Sequence, residues 1–120
     1  MSKKRVLIFD DDAVILEVVG IIFEDAGYEV EISETSHDII EKVADFQPNV
    51  ILMDNWIPNI GGVEATKLLK SHDEFKNIPV IYTTANNDIV ALAKEAQADD
   101  FIEKPFDLED LEKKVENFLQ

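Results

Sequence analysis

The chain has 120 residues, near the commonest size of one compact domain, and 46% of them are hydrophobic, an ordinary content for a globular core. Asp and Glu number 26 against 11 Lys and Arg, a formal charge of −15; such a surface repels phosphate backbones, which argues against direct binding of nucleic acid or anionic membranes and leaves basic protein partners open. Cysteine is absent, which rules out disulfides and thiolate metal sites, and the start MSKKRVLIFDDD has neither the apolar length of a membrane span nor the pattern of a signal peptide. The expectation is one soluble, cytoplasmic domain over residues 1–120.

Apolar runs alternate with helix-period segments. A first strand near Arg5 to Phe9 leads into a helix over Ala13 to Ala26, whose stripe Ile15, Val18, Val19, Ile22, Phe23 and Ala26 recurs at helical spacing and which Gly27 stops. Val14, Leu16 and Ile21 make this helix apolar around most of its circumference. A second strand spans Tyr28 to Ile32; Thr35 or Ser36 caps a helix running to about Phe46 with Ile39, Ile40 and Val43 inward, and Pro48 ends the connection. Asn49 to Met53 is the third strand, followed by a loop with Pro58, Gly61 and Gly62 and a helix near Val63 to Ser71. Strand four is Ile78 to Thr83, helix four starts after Asn86 or Asn87, and Phe101 to Glu103 is a short fifth strand. A last helix is capped by Asp107 and turns Leu108, Leu111, Val115, Phe118 and Leu119 inward.

Strict alternation with short connections predicts the α/β class: right-handed crossovers and helices on both faces of a five-stranded parallel sheet, for which the common order is 2-1-3-4-5. Ligands bind such sheets at the carboxyl ends of the strands. There the chain places Asp10, Asp11 and Asp12 after strand one, Asp54 after strand three, Thr83 and Thr84 at the end of strand four, and Lys104 after strand five. Strands lie about 4.8 Å apart, so Asp10, Asp11 and Asp54 crowd together, while Lys104, roughly 10 Å from strand three, is long enough to cover most of that gap.

Two carboxylates about 4 Å apart repel by roughly 4 kcal/mol at an effective dielectric of 20, so either one acid is protonated or a cation enters. Mg²⁺ suits an oxygen site of one or two carboxylates, waters and a phosphate oxygen. His37 and His72 lie in polar stretches away from these strand ends and read as surface residues, so zinc does not fit. Asp54, the lone acid on its strand end, is the candidate nucleophile for a phosphoryl group, with Asp10 and Asp11 as the metal side, Thr84 as a hydroxyl donor and Lys104 as the ammonium. Asp12 reads as the cap of the first helix.

VLIFDDD at Val6 to Asp12, MDNWIPNIGGVE at Met53 to Glu64, IPVIYTTA at Ile78 to Ala85 and ADDFIEKPF at Ala98 to Phe106 together resemble the receiver domain of two-component response regulators, of the chemotaxis-regulator kind, over essentially the whole chain. The resemblance implies a flavodoxin-like three-layer αβα sandwich and a phosphoacceptor at Asp54. The donor would be a phosphohistidine on a sensor histidine kinase or a histidine phosphotransfer protein. It implies Mg²⁺, or Mn²⁺, with Asp11 as the direct ligand, Asp10 acting through water, and Asp54 and the main-chain carbonyl of Trp56 completing the shell. Thr84 matches the switch hydroxyl, Lys104 precedes a peptide to Pro105 expected to be cis, and Phe101 matches the switch aromatic. Phosphorylation would then alter the surface of helix four, strand five and helix five. On this reading the domain is a signalling phosphoacceptor rather than an enzyme, promoting only its own phosphorylation and dephosphorylation, with a protein as its output.

Ile57, Gly61, Gln97 and Phe101 depart from that family's usual residues without removing a reacting group. Trp56 and Asn86 fall where the family tunes dephosphorylation, and Trp56 would shield the phosphoryl group from water or contact a partner. Val14, Leu16 and Ile21 widen the buried face of helix one, or else an exposed remnant at Val14 and Ile21 docks the phosphohistidine donor. Two alternatives belong to other classes. Phe9 to Val14 also resembles the start of haloacid-dehalogenase-type phosphatases, with Asp10 as nucleophile, which leaves Asp54 unexplained. The other is a phosphorylation-independent receiver-like interaction module.

Overall fold

The computed structural model describes residues 3–85 and 87–119. The expectation for Asn86 lies outside them. The elements follow in the order β1 (Arg5–Phe9), α1 (Ala13–Asp25), β2 (Glu29–Ser33), α2 (Ile39–Phe46), β3 (Val50–Asp54), α3 (Gly62–Lys70), β4 (Val80–Thr84), α4 (Ile89–Ala96), β5 (Asp100–Glu103) and α5 (Leu108–Leu119). All strand pairs are parallel, and the sheet order is β2-β1-β3-β4-β5. Successive strand residues face opposite layers. Leu7, Phe9, Ile51, Met53, Val80 and Tyr82 pack with α2, α3 and α4, while Val6, Ile8, Val50, Leu52, Ile81 and Ile102 pack with α1 and α5. Burial on both faces explains why β1, β3 and β4 read as unbroken apolar runs.

Two local expectations are corrected. In α1 the buried residues are Leu16, Val19, Gly20 and Phe23, whereas Val18 and Ala26 are exposed and Ile15 and Ile22 are half-buried. Both sets have helical spacing, and a helix apolar almost all round does not fix its own rotation. Contact with β2 does, where Gly20 lies against Val30 and Ile32. The helix closes as anticipated at Gly27, whose φ of 100° and backbone bonds from Gly27 and Tyr28 to Glu24 and Phe23 complete a left-handed cap.

The second correction concerns α2, which begins only at Ile39 after Asp38 with φ 56° and no side-chain cap. Neither Thr35 nor Ser36 caps it. The buried Ser36 hydroxyl instead lies 2.9 Å and 2.7 Å from the Pro58 and Ile60 carbonyls and accepts the Ile60 N–H at 2.8 Å. The third and fourth strands also run one residue further than expected, so Asp54 and Thr84 are themselves strand residues.

Asp12 caps α1 through Oδ1, which accepts from Val14 and Ile15, and Asp107 caps α5 by accepting from Glu109 and Asp110. Gln97, where the receiver pattern favours Gly, closes α4 in the left-handed region at φ 66°, a conformation that costs a side chain but not Gly.

Two glycines have opposite consequences. A Cβ on Gly62 would fall 2.2 Å from the Asp54 carbonyl oxygen, whereas one on Gly20 would meet Ile32 and Val30 at 3.8 and 3.9 Å, an ordinary contact. Gly62→Ala is therefore expected to destabilise by about 2 kcal/mol through forced backbone movement. Gly20→Ala should stabilise by about 0.5–1 kcal/mol through helix propensity. Urea unfolding of the two variants checks both signs.

Candidate functional site

Register brings the chemistry together. Phe9 pairs with Met53, Asp54 with Thr83, and Thr84 with Glu103, so the residues ending or following β1, β3, β4 and β5 meet at one edge of the sheet. The Asp10 N–H donates to Ser33 O at 3.1 Å and the Lys104 N–H to Thr84 O at 2.9 Å, which carries the parallel ladder one step beyond β1 and β5.

Asp10 and Asp54 are each only 3% exposed. Lys104 crosses over β4 and puts its ammonium 2.8 Å from Asp10 Oδ2 and 3.0 Å from Asp54 Oδ1. Its reach is longer than the strand spacing alone suggested, because it extends past β3 to the end of β1. The remaining carboxylate oxygens take backbone donors: the Asp12 N–H reaches Asp10 Oδ1 at 2.9 Å, and the Trp56 N–H reaches Asp54 Oδ2 at 3.2 Å. Asp11 is exposed at the mouth.

One oxygen from each of Asp10, Asp11 and Asp54 lies within 4.8 Å of the others. Three carboxylates thus face one ammonium, a balance that leaves negative charge uncompensated. An all-oxygen donor set with two buried members and one exposed matches a hard divalent cation that keeps part of its water, as Mg²⁺ does.

The electrostatics record the strain. Burial raises the Asp54 carboxyl to about 6; the Lys104 hydrogen bond opposes this, and the charges of Asp10 and Asp11 add to it. Burial alone would depress the Lys104 ammonium, but its bonds to Asp10 and Asp54 outweigh that and hold it above its ordinary value.

Thr83 and Thr84 are both buried at the end of β4. The Lys104–Pro105 peptide is cis. Phe101 is half-buried, against the layer that contains α3 and α4, and Trp56 stands 71% exposed beside the acids.

The loop after Asp54 is fixed by groups that sequence reading did not single out. The Asn55 N–H donates to Thr83 O at 2.9 Å, the Gly62 N–H donates to Asn55 O at 3.0 Å, and the Tyr82 hydroxyl donates to Asn55 Oδ1. Ser36 holds Pro58 and Ile60 from the far side. These partners are distant in the chain, so no local motif announces them.

Because folding lifts the Asp54 carboxyl above its ordinary 3.8, its ionisation destabilises the metal-free fold as pH rises from about 4 through about 6. Asp54→Asn in chelator is expected to raise stability by about 1–2 kcal/mol at pH 7.5, the scale of relieving a buried charge and its like-charged neighbours. The gain should fade toward pH 5, where the native carboxyl is already mostly protonated. Thermal unfolding of both proteins across that range checks the sign.

The family model for the response regulator receiver domain matches residues 6–116. Among curated proteins, the chain is 36% identical over 116 residues to the CAI-1 autoinducer sensor kinase/phosphatase CqsS of Vibrio cholerae, covering 94% of this chain and 17% of that one. It is 35% identical over 124 residues to the phosphate regulon transcriptional regulatory protein PhoB of Pseudomonas aeruginosa, covering 100% of this chain and 53% of that one. The chain thus spans about half or less of the length of these relatives. Among solved structures, it superimposes on the chemotaxis response regulator CheY4 of Vibrio cholerae with a TM-score of 0.89 at 27% identity, covering 98% of this chain and 99% of that one. With the strand order and the acidic edge already in place, the match over residues 6–116 decides the matter: the chain belongs to the response regulator receiver domain family, a family of signalling domains in two-component systems.

Proposed function

We propose that Asp54 is the phosphoacceptor of a receiver domain spanning residues 1–120. A carboxylate oxygen of Asp54 attacks the phosphorus of a phosphohistidine on a sensor histidine kinase or a histidine phosphotransfer protein. The P–N bond breaks, the imidazole departs with the electron pair, and an aspartyl phosphate remains. The observation that carries this reading is the bridging of Asp10 and Asp54 by Lys104, with Asp11 at the mouth and the three acids within 4.8 Å.

Asp10, Asp11, Asp54 and the Trp56 carbonyl would hold Mg²⁺ or Mn²⁺, which supplies positive charge to offset that of the incoming phosphoryl group. Lys104 releases part of its hold on Asp54 and pairs with a phosphoryl oxygen, and the Thr84 hydroxyl donates to another. Drawing Thr84 toward the site loosens the packing around Phe101, which biases the α4, β5 and α5 surface toward a second arrangement and so changes affinity for a downstream protein. The domain promotes its own phosphorylation and dephosphorylation and has no other turnover. No helix among the described residues is long and apolar enough to cross a membrane. The proposed phosphohistidine donor is what would put the domain in the cytoplasm. No observation favours the phosphatase or the phosphorylation-independent alternative.

The docking patch narrows to one end of α1. Val14 and Ile21, seven residues apart and therefore on one face of α1, line different grooves: Val14, 67% exposed, lines an apolar groove of about 450 Å³ with Ile15, Val18, Pro105 and Phe106 beside Lys104, whereas Ile21 lines a groove against β2. The groove next to Lys104 is the better seat for a helical histidine donor.

Incubation with Mg²⁺ and acetyl phosphate is expected to add the mass of one phosphoryl group to the wild-type chain and none to Asp54→Asn or to the chelated protein. An unchanged adduct on Asp54→Asn overturns the assignment. Trp56→Ala should shorten the life of the adduct by admitting water, read from its decay after the donor is removed. Val14→Asp combined with Val18→Asp should slow transfer from a phosphohistidine donor by about tenfold or more, the loss typical of a central contact, while phosphorylation by acetyl phosphate is unaffected.

A further inference from the structure

Tyr82 is a polar residue in an apolar place. It is fully buried on β4, paired across the sheet with Met53 on β3 and Phe101 on β5, in a cluster that a phenylalanine would fill equally well. Its hydroxyl donates to Asn55 Oδ1, on the residue directly after Asp54. Burial first, and then the charge of Asp54, hold the phenol above its ordinary value, so it remains a donor throughout the working range of pH.

Asn55 is consequently held from three sides: by the Thr83 carbonyl through its N–H, by the Gly62 N–H through its carbonyl, and by Tyr82 through its side chain. The next residue is Trp56, whose N–H meets Asp54 Oδ2. We infer that Tyr82 is a positioning residue for phosphoryl acceptance. Its hydroxyl fixes Asn55, and through it sets the main chain of Trp56 against the Asp54 carboxylate and the cation site. Because the ring of Tyr82 lies opposite Phe101 in the strand register, the same side chain joins the acceptor loop to the layer of α3 and α4. This inference rests on Asp54 being the phosphoacceptor and assigns a role to a group outside the reacting set.

Tyr82→Phe removes one oxygen and keeps the ring in its cluster; Asn55→Ala removes the other end of the bond. In the metal-free protein, Tyr82→Phe should shift the backbone amide resonance of Trp56. Mg²⁺ affinity, followed by the fluorescence of Trp56, the single tryptophan, should weaken by about threefold to tenfold, the range of one neutral hydrogen bond. Asn55→Ala should weaken it similarly, and the double variant should lose little more, because both changes break one bond. Phosphorylation by acetyl phosphate at subsaturating Mg²⁺ should slow in step and recover at saturating Mg²⁺. A purely structural tyrosine would lower the urea midpoint and leave Mg²⁺ affinity and the Trp56 resonance where they were, which overturns the inference, as do additive losses in the double variant. Wild-type protein that binds Mg²⁺ yet takes no phosphoryl group overturns the phosphoacceptor reading and this one with it, so the two failures are told apart.

Discussion

Lys104 places one ammonium between two carboxylates that have almost no access to water, and the rest of the site is arranged around that imbalance. Burying Asp10 and Asp54 side by side is costly, and each acid is held by the same pair of devices, a hydrogen bond to Lys104 and a backbone N–H from the residue two positions on. Lys104 offsets one negative charge, and Asp11 at the mouth adds another. The Asp54 carboxyl is raised first by its burial and then by the neighbouring acids, which Lys104 offsets only in part. A site in this condition has a standing affinity for a cation and, under the proposed function, a reason to rearrange when a phosphoryl group adds charge to Asp54.

Rearrangement matters because Lys104 is at once the counter-charge and a part of the loop that follows β5. Its backbone N–H is tied to the Thr84 carbonyl, so a change in what the ammonium holds is transmitted to the ends of β4 and β5. The opposite side of the site is built to resist such movement. Gly62 packs without a Cβ against the Asp54 carbonyl, Ser36 clasps Pro58 and Ile60, and Tyr82 and Thr83 hold Asn55. For the proposed switch, a braced loop after Asp54 would direct the local charge event to the β4–β5 edge rather than let it disperse through the fold.

Much of the site was legible because parallel strands buried on both faces write themselves as apolar runs, and the residue at the end of each run is then a site candidate. Asp10, Asp54, Thr84 and Lys104 emerge from that rule, and Asp12 and Asp107 emerge as caps from the spacing to the helices behind them. The rule has little to say where a helix is apolar all round. In α1 two stripes of equal helical spacing compete, and Gly20, which looks like a spacer, lies in the buried face because β2 approaches there. Thr35 and Ser36 carried the sequence signature of a helix start, but a buried hydroxyl takes the best partners in space. For Ser36 those are carbonyls 22 and 24 residues away.

The order of apolar and amphipathic segments by itself determined the layers, the parallel sheet and the gathering of acids, hydroxyl and ammonium at one edge, because side-chain period and short right-handed connections allow few other arrangements. Only the tertiary structure decided that one lysine bridges both buried acids, that Val14 and Ile21 line different grooves, and that Tyr82 and Ser36 hold the loop after Asp54. The reason is physical: period and connection length are local properties of the chain, whereas a hydrogen bond or an ion pair chooses its partner among whatever the finished fold brings within about 3 Å.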